Sequence, residues 1–126
     1  MKDVEKIKFY TEFRKELDTI CIPEILKCVD AIKISSETGE TVGMICVVDM
    51  NGWLYIDCIY ILPGYRRMGY AKAAVLDFYR QNKHREIRLH IIRKNTGARK
   101  FWNNIFDLEC MERNAIDCLY MIKGLK

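Results

Sequence analysis

The sequence has no apolar run near the roughly 18 residues that a membrane-crossing helix needs. Its opening MKDVEKIKFY holds acids where a secretory leader would hold an apolar stretch. The expectation is a chain that stays in the cytoplasm and off the membrane. None of its six cysteines, at 21, 28, 46, 58, 110 and 118, stands in C-x-x-C spacing, which argues against a zinc module and against a disulfide scaffold. Most sit in apolar segments such as GMICVVD and IDCLYMI, so they are expected as buried free thiols, and no metal is expected. Internal repeats, low-complexity tracts and Pro/Gly/Ser-rich linkers are all missing. That leaves 126 residues as one expected domain, long enough to bury a core. Neither a Walker loop nor a dinucleotide fingerprint is present.

What is present is a lopsided charge. The chain carries +4 overall at pH 7, yet residues 64–100 hold eleven Lys or Arg against only Asp77 and Glu86, a local balance of +9. A positive field there fits an anionic ligand or nucleic acid, or is a solvated basic face. No aromatic-basic recognition motif accompanies it, so nucleic acid is set behind the other two, with the aminoacyl end of a charged tRNA kept open as an acceptor.

Periodicity orders the chain. KIKFY (6–10) alternates and reads as a short first strand. Phe13, Leu17 and Ile20 follow at helical spacing after Thr11 as an N-cap, and Pro23 suits the first turn of a second short helix carrying Ile25, Leu26 and Val29. AIKISS (31–36), TVGMICVVDM (41–50) and WLYIDCIYIL (53–62) read as strands, and Asn51-Gly52 between the last two is a hairpin signal. YAKAAVLDFYRQNK places Ala71, Ala74, Val75 and Phe78 on one helical face. EIRLHII (86–92) is a strand, Asn95 caps a helix through Phe106, and LECMERN and AIDCLYMIK close as strands. A strand–helix–strand unit implies one parallel pair within a mostly antiparallel sheet, an α/β fold.

Between strand 53–62 and the next helix lies LPGYRRMGYAKAAV. Pro63-Gly64 supplies a turn, which leaves Gly69 to be explained. The unpaired N–H groups of a helix N-terminus, beside a glycine that lets a ligand approach the backbone, make a phosphate site. Arg66-Arg67-Met68-Gly69-Tyr70-Ala71 resembles the R/Q-x-x-G-x-G/A motif of the GNAT superfamily, the acyl-CoA-dependent N-acyltransferases. Asn95-Thr96-Gly97-Ala98-Arg99-Lys100-Phe101-Trp102 resembles the N-x-x-A-x-x-[LF]-[YW] opening of a later helix in the same family.

With the order of strands and helices, the resemblance spans residues 31–123. It implies the GNAT-type fold: a mixed sheet whose central parallel pair is splayed by a bulge, with helices on both faces. It also implies acetyl-CoA as cosubstrate. The pantetheine would pair with backbone of Ile59, Tyr60 and Ile61, and the pyrophosphate would lie against Arg66, Arg67, Met68, Gly69, Tyr70, Ala71 and Lys72. Asn95, Ala98, Phe101 and Trp102 would flank the pantetheine, with Arg99 or Lys100 reaching the outer phosphates. Backbone donors released by the bulge would also stabilise the oxyanion of acyl transfer.

The implied reaction is direct transfer of an acetyl group to a primary amine. It needs a neutral amine, hence a base. His90 is the first candidate: an imidazole titrates in the useful range, and family members of the N-terminal-acetyltransferase type carry a glutamate there. A half-exposed strand histidine is the plainer reading. Asp57 is the second candidate, or it merely answers an arginine. Trp102 departs from the family, many of whose members have a tyrosine there that protonates the departing thiolate, which an indole N–H cannot do well. Either Tyr120 or Tyr60 serves as the acid instead, or solvent does, or transfer is slow. The same departure motivates an alternative, a CoA-binding or interaction module with weak or no catalysis. The acceptor can be a small molecule, a peptide or a protein; Glu12, Glu16, Asp18 and Glu24 within residues 9–30, expected to set specificity, suit a cationic one. The protein is expected as a monomer or homodimer.

Overall fold

Asn51 takes the left-handed conformation (φ 70°) that the Asn-Gly pair was expected to supply, and the runs on either side of it form the two strands of a hairpin. The computed structural model describes residues 2–16 and 30–126. Six strands make one sheet: β1 (Asp30–Ser35), β2 (Thr41–Asp49), β3 (Trp53–Ile61), β4 (Glu86–Ile92), β5 (Phe106–Arg113) and β6 (Asp117–Leu125). Their order is β1-β2-β3-β4-β6-β5, and every neighbouring pair is antiparallel except β3 with β4. Helix α1 (Asp3–Glu16) covers one face; α2 (Tyr70–Gln81) and α3 (Thr96–Ile105) cover the other. No helix among the described residues is long and apolar enough to cross a membrane.

KIKFY is not a strand. It lies inside α1, and Thr11 is in mid-helix, not at a cap. Alternation over five residues was a coincidence of two periods: Phe9, Tyr10 and Phe13 share a helical face that packs on Met44, Cys46, Cys58 and Tyr60, while Ile7 stays exposed. The second helix expected around Ile25, Leu26 and Val29 lies outside the described residues, as do Asp18 and Glu24. The helix of the second motif runs from Thr96 to Ile105 and passes directly into β5, so Phe106 is strand and not helix. Its φ of −125° and ψ of 151° turn the chain without a glycine.

The feature that shapes the site is a β-bulge. Cys46 stands opposite Cys58, but Val47 stands opposite Ile56, so Asp57 is an extra residue in β3. The bulge shifts the alternation of side chains by one. Leu54 and Ile56 before it, and Ile59 and Ile61 after it, all join the core with Val75, Phe78 and Trp102 under α2 and α3. Cys58 and Tyr60 turn to the α1 face. The parallel ladder pairs residues 53–56 with 86–89, ending at Ile56 opposite Leu89. Among the described residues, β3 then pairs only with β2 and β4 only with β6. Past Ile56 and Leu89 the two strands part into a widening wedge.

Gly43 keeps β2 tight against the wedge. It pairs with Ile61, and a Cβ there would collide with the Tyr60 carbonyl oxygen and come within 2.8 Å of Ile61 Cδ1. Gly43→Ala is expected to destabilise the protein by about 1–3 kcal/mol, the range for overpacking a tight site. The midpoint of denaturant unfolding measures it.

At the other end of the hairpin, Arg85 donates two hydrogen bonds to Asp49, at 3.0 and 2.8 Å. These bonds, with the Asn51 N–H, hold the Asp49 carboxyl down to about 2. A depressed folded-state pKa gives stability that is present above the unfolded value of about 4 and lost as pH falls through the folded one. Asp49→Asn is expected to lower the melting temperature at neutral pH. Its deficit against the wild type closes between pH about 4 and about 2.

Candidate active site

The wedge opens into a cleft of about 330 Å³ lined by Phe13 of α1, Ile59, Tyr60 and Ile61 of β3, Arg66, Ala71, and Gly97, Ala98, Phe101 and Trp102 of α3. A second cavity of about 350 Å³ is lined by Tyr65, Arg66, Arg67, Gly69, Tyr70, Ala71 and Lys72, with Ile61 and Phe101. Ile61, Arg66, Ala71 and Phe101 border both, so the two form one channel from the sheet to the glycine loop. Its inner part is apolar and its outer part basic, the lining expected for a ligand with an apolar arm and an anionic head. Met68 belongs to the loop but is exposed and does not line the channel.

The loop's left-handed positions are Arg67 (φ 64°) and Gly69 (φ 85°). Gly64 is not one of them; it sits in the 3₁₀ turn Pro63–Tyr65. Gly69 is the N-cap of α2 and brings no side chain to the cap, so the N–H groups of the first turn are left for a ligand or water. A Cβ on Gly69 would meet no protein atom within 4 Å. The space outside it is cavity.

The loop is tied down from two sides. Arg66 Nε donates to the Ile61 carbonyl at 2.8 Å, and its guanidinium lies over the Tyr60 ring, 5.4 Å from the centroid. Tyr70 donates to Glu37 at 2.7 Å and Tyr65 donates to Glu40, both on the β1–β2 turn, and the two tyrosine rings meet edge to face. The Tyr70 hydrogen bond lowers the Glu37 pKa and raises that of Tyr70. These carboxylates therefore bind the loop's phenols.

Asn95 caps α3, its Oδ1 accepting from Ala98 N–H at 2.9 Å. The expected N-cap is thus present, and it leaves the Nδ2 hydrogens unused by the cap. Trp102 is buried, edge-on to Phe101 at 5.1 Å and near-parallel to Phe106 at 6.2 Å. Lys100 shares an open groove with Thr96, Arg99, Asn103 and Asn104, outside the channel lining.

His90 is the first residue of β4 past the end of the parallel ladder, on the α1 side of the sheet. Its Nδ1 is 2.7 Å from the hydroxyl of Tyr55, and the rings meet edge to face at 5.5 Å. Burial, with smaller contributions from the charges of Asp57 and Asp117, pushes the Tyr55 hydroxyl up to about 12. It stays protonated at physiological pH. Tyr55 is the functional candidate that sequence reasoning missed. It sits two residues from Asp57 in an alternating strand, but its pairing with His90 depends on the parallel register, which no local pattern states. Arg88 lies one step back on the same face, its guanidinium 4.3 Å from the Trp53 ring centroid and paired with Glu86.

Tyr120 is not brought to this group. It pairs with Leu89, whose side chain is in the core under α2 and α3, so it lies on the opposite face from His90. Its hydroxyl is engaged by Cys118 and Arg113. Asp57, His90 and Tyr55 thus gather at the mouth of the wedge, and Tyr120 does not.

The sequence model of the acetyltransferase (GNAT) family matches residues 6–106. Among curated proteins no match was found. Solved structures with a similar fold include NAA60 of Arabidopsis thaliana in complex with a bisubstrate analogue, at 13% identity and a TM-score of 0.73, covering 97% of this chain and 95% of that one. The same Arabidopsis protein in complex with acetyl-CoA aligns at 14% identity and a TM-score of 0.68, over 93% of each chain. A GNAT-family acetyltransferase of Staphylococcus aureus Mu50 aligns at 18% identity and a TM-score of 0.67, over 100% of this chain and 96% of that one.

Proposed function

The chain belongs to the GNAT acetyltransferase family, and from that premise we propose that it is an N-acetyltransferase moving the acetyl group of acetyl-CoA directly to a primary amine. The observation that carries this is the channel itself. A wedge between two parting strands runs without a break into a basic loop whose helix N–H groups, among the described residues, lack a side-chain cap.

Acetyl-CoA fits it end to end. Its pantetheine pairs with the backbone of Ile59, Tyr60 and Ile61 against Ala98, Phe101 and Trp102, with the Asn95 Nδ2 as a further donor. Its pyrophosphate lies on the first turn of α2, with Arg67 and Lys72 as counter-charges. Arabidopsis NAA60, which shares this fold, was solved in complex with acetyl-CoA. A cytoplasmic setting goes with this reading, since Cys46, Cys58 and Cys118 are buried free thiols and Cys110 an exposed one.

The amine enters on the α1 side, where Asp57 and Asp117 both act on Tyr55 and make the mouth acidic. Its nitrogen attacks the thioester carbonyl, the oxyanion is held by backbone N–H groups of β3, and the C–S bond breaks to release the CoA thiolate. The proton leaving nitrogen goes to His90. If Tyr55 donates to Nδ1, the proton is relayed through the phenol; if Nδ1–H donates to Tyr55, it is taken directly at Nε2. Trp102 is a poor proton donor and Tyr120 lines a separate pocket, which leaves Tyr60 in the cleft lining, or water, to protonate the thiolate.

The test is thiol release from acetyl-CoA over a panel of peptides, polyamines and aminoglycosides. Turnover with an amine and none without is the expected result. Acetyl-CoA binding without turnover across the panel would instead assign the fold to a CoA-binding module, the reading that Trp102 motivates.

A further inference from the structure

We propose that the pocket beneath the start of α3, away from the acetyl-CoA channel, is a binding site for a small tetrahedral oxyanion of the phosphate or sulfate class. Arg93, Arg99, Arg113, Cys118, Tyr120 and Ile91 line it. The sheet assembles it across three strands: Ile91 of β4 pairs with Cys118 of β6, and Cys118 pairs with Arg113 of β5. Arg99 comes from α3, while Ala98, Phe101 and Trp102 of the same helix line the channel, so the helix separates the two spaces.

Three guanidiniums border a cavity of about 100 Å³, and among the described residues no carboxylate lines it. Among the described residues, none of the three arginines forms an ion pair with an Asp or Glu. Arg93 is oriented by donating to the Asn114 carbonyl at 3.1 Å, which leaves its charge uncompensated. The groups that act on Arg113 are the Cys118 and Cys110 thiols and the Tyr120 phenol. Burial pushes the Cys118 thiol up, but hydrogen bonds from Tyr120 and Arg113 and the charges of Arg113 and Arg93 outweigh it, and the net shift is downward.

Like charges brought together without a carboxylate between them repel one another, and an oxyanion reduces that cost while accepting several charge-assisted hydrogen bonds. Arginine forks suit a tetrahedral oxyanion. The volume admits one such group. It is too small for a nucleotide or a drug-sized ligand.

The experiment is a residue-resolved ¹⁵N NMR titration with sodium sulfate and sodium phosphate, at ionic strength held constant with chloride, with acetate as a planar control. Saturable shifts at Arg93, Arg99, Arg113 and Cys118 are expected with the two tetrahedral anions and not with acetate. Arg99→Gln, a change at an exposed helix position that leaves the fold intact, is expected to weaken binding about tenfold, the loss of one charged hydrogen bond. Arg113→Gln should do the same. Shifts at residues 66–72 report the glycine loop separately, so neither site's failure is mistaken for the other's. Shifts that rise linearly without saturating, shifts confined to residues 66–72, or an affinity unchanged in Arg99→Gln would overturn the proposal.

Discussion

Replacing Gly69 by valine is expected to abolish the rise in melting temperature that acetyl-CoA gives the wild-type protein. At a hundredfold excess over Kd, a ligand that binds only the folded state adds about 2.7 kcal/mol, a shift of several degrees for a chain of this size. Two effects act at Gly69 and they are separable. The left-handed φ of 85° strains a β-branched residue by about 1–2 kcal/mol, which lowers the melting temperature of the unliganded variant. That loss stays moderate, because a Cβ meets no protein atom within 4 Å. The proposed site puts the pyrophosphate in that same open space, so the branched side chain is expected to occupy the ligand's volume and keep phosphate off the α2 N–H groups. An unliganded variant that folds, melts slightly lower and still responds fully to acetyl-CoA would remove the glycine loop from the proposed site.

Replacing His90 by alanine is expected to cut kcat by about two to three orders of magnitude, within the range for losing a general base. The KM for acetyl-CoA should hardly move, since His90 does not line the channel. Removing a general base changes how the rate depends on pH, so the pH–rate profiles of wild type and variant should differ. Tyr55→Phe separates the two proton routes. A large loss means relay through the phenol, and a small loss means direct transfer to Nε2. With its hydroxyl held up to about 12, Tyr55 itself should place no limb in the ordinary assay range. A His90→Ala enzyme with an unchanged pH profile would take the base elsewhere, with Asp57 at the bulge as the next residue to replace.

The motif residues were legible because their jobs are local. Gly69 is needed where a chain enters a helix with φ positive, and Asn95 where a helix lacks a partner for its first N–H groups, so both declare themselves within a few residues. The hairpin at Asn51-Gly52 and the inward faces of α2 and α3 are equally local matters of turn chemistry and period. The strand expected at KIKFY failed for a related reason. Over five residues the two periods overlap, and the choice fell to a surface, Met44, Cys46, Cys58 and Tyr60, that exists only once the sheet is built.

Composition and spacing, then, determined by themselves the α/β class, the three-strand meander over residues 31–62, and a glycine loop and a later capped helix. Tertiary structure alone decided where the candidate catalytic groups lie. Asp57 becomes a bulge only through its register with β2, and that single extra residue turns Tyr60 from one face to the other. Tyr55 meets His90 across 35 residues of chain, Tyr120 falls on the far face, and three arginines from β5, α3 and the segment after β4 converge on one pocket. A side chain's partners across a sheet follow from pairing between distant segments, and a one-residue slip reverses every facing.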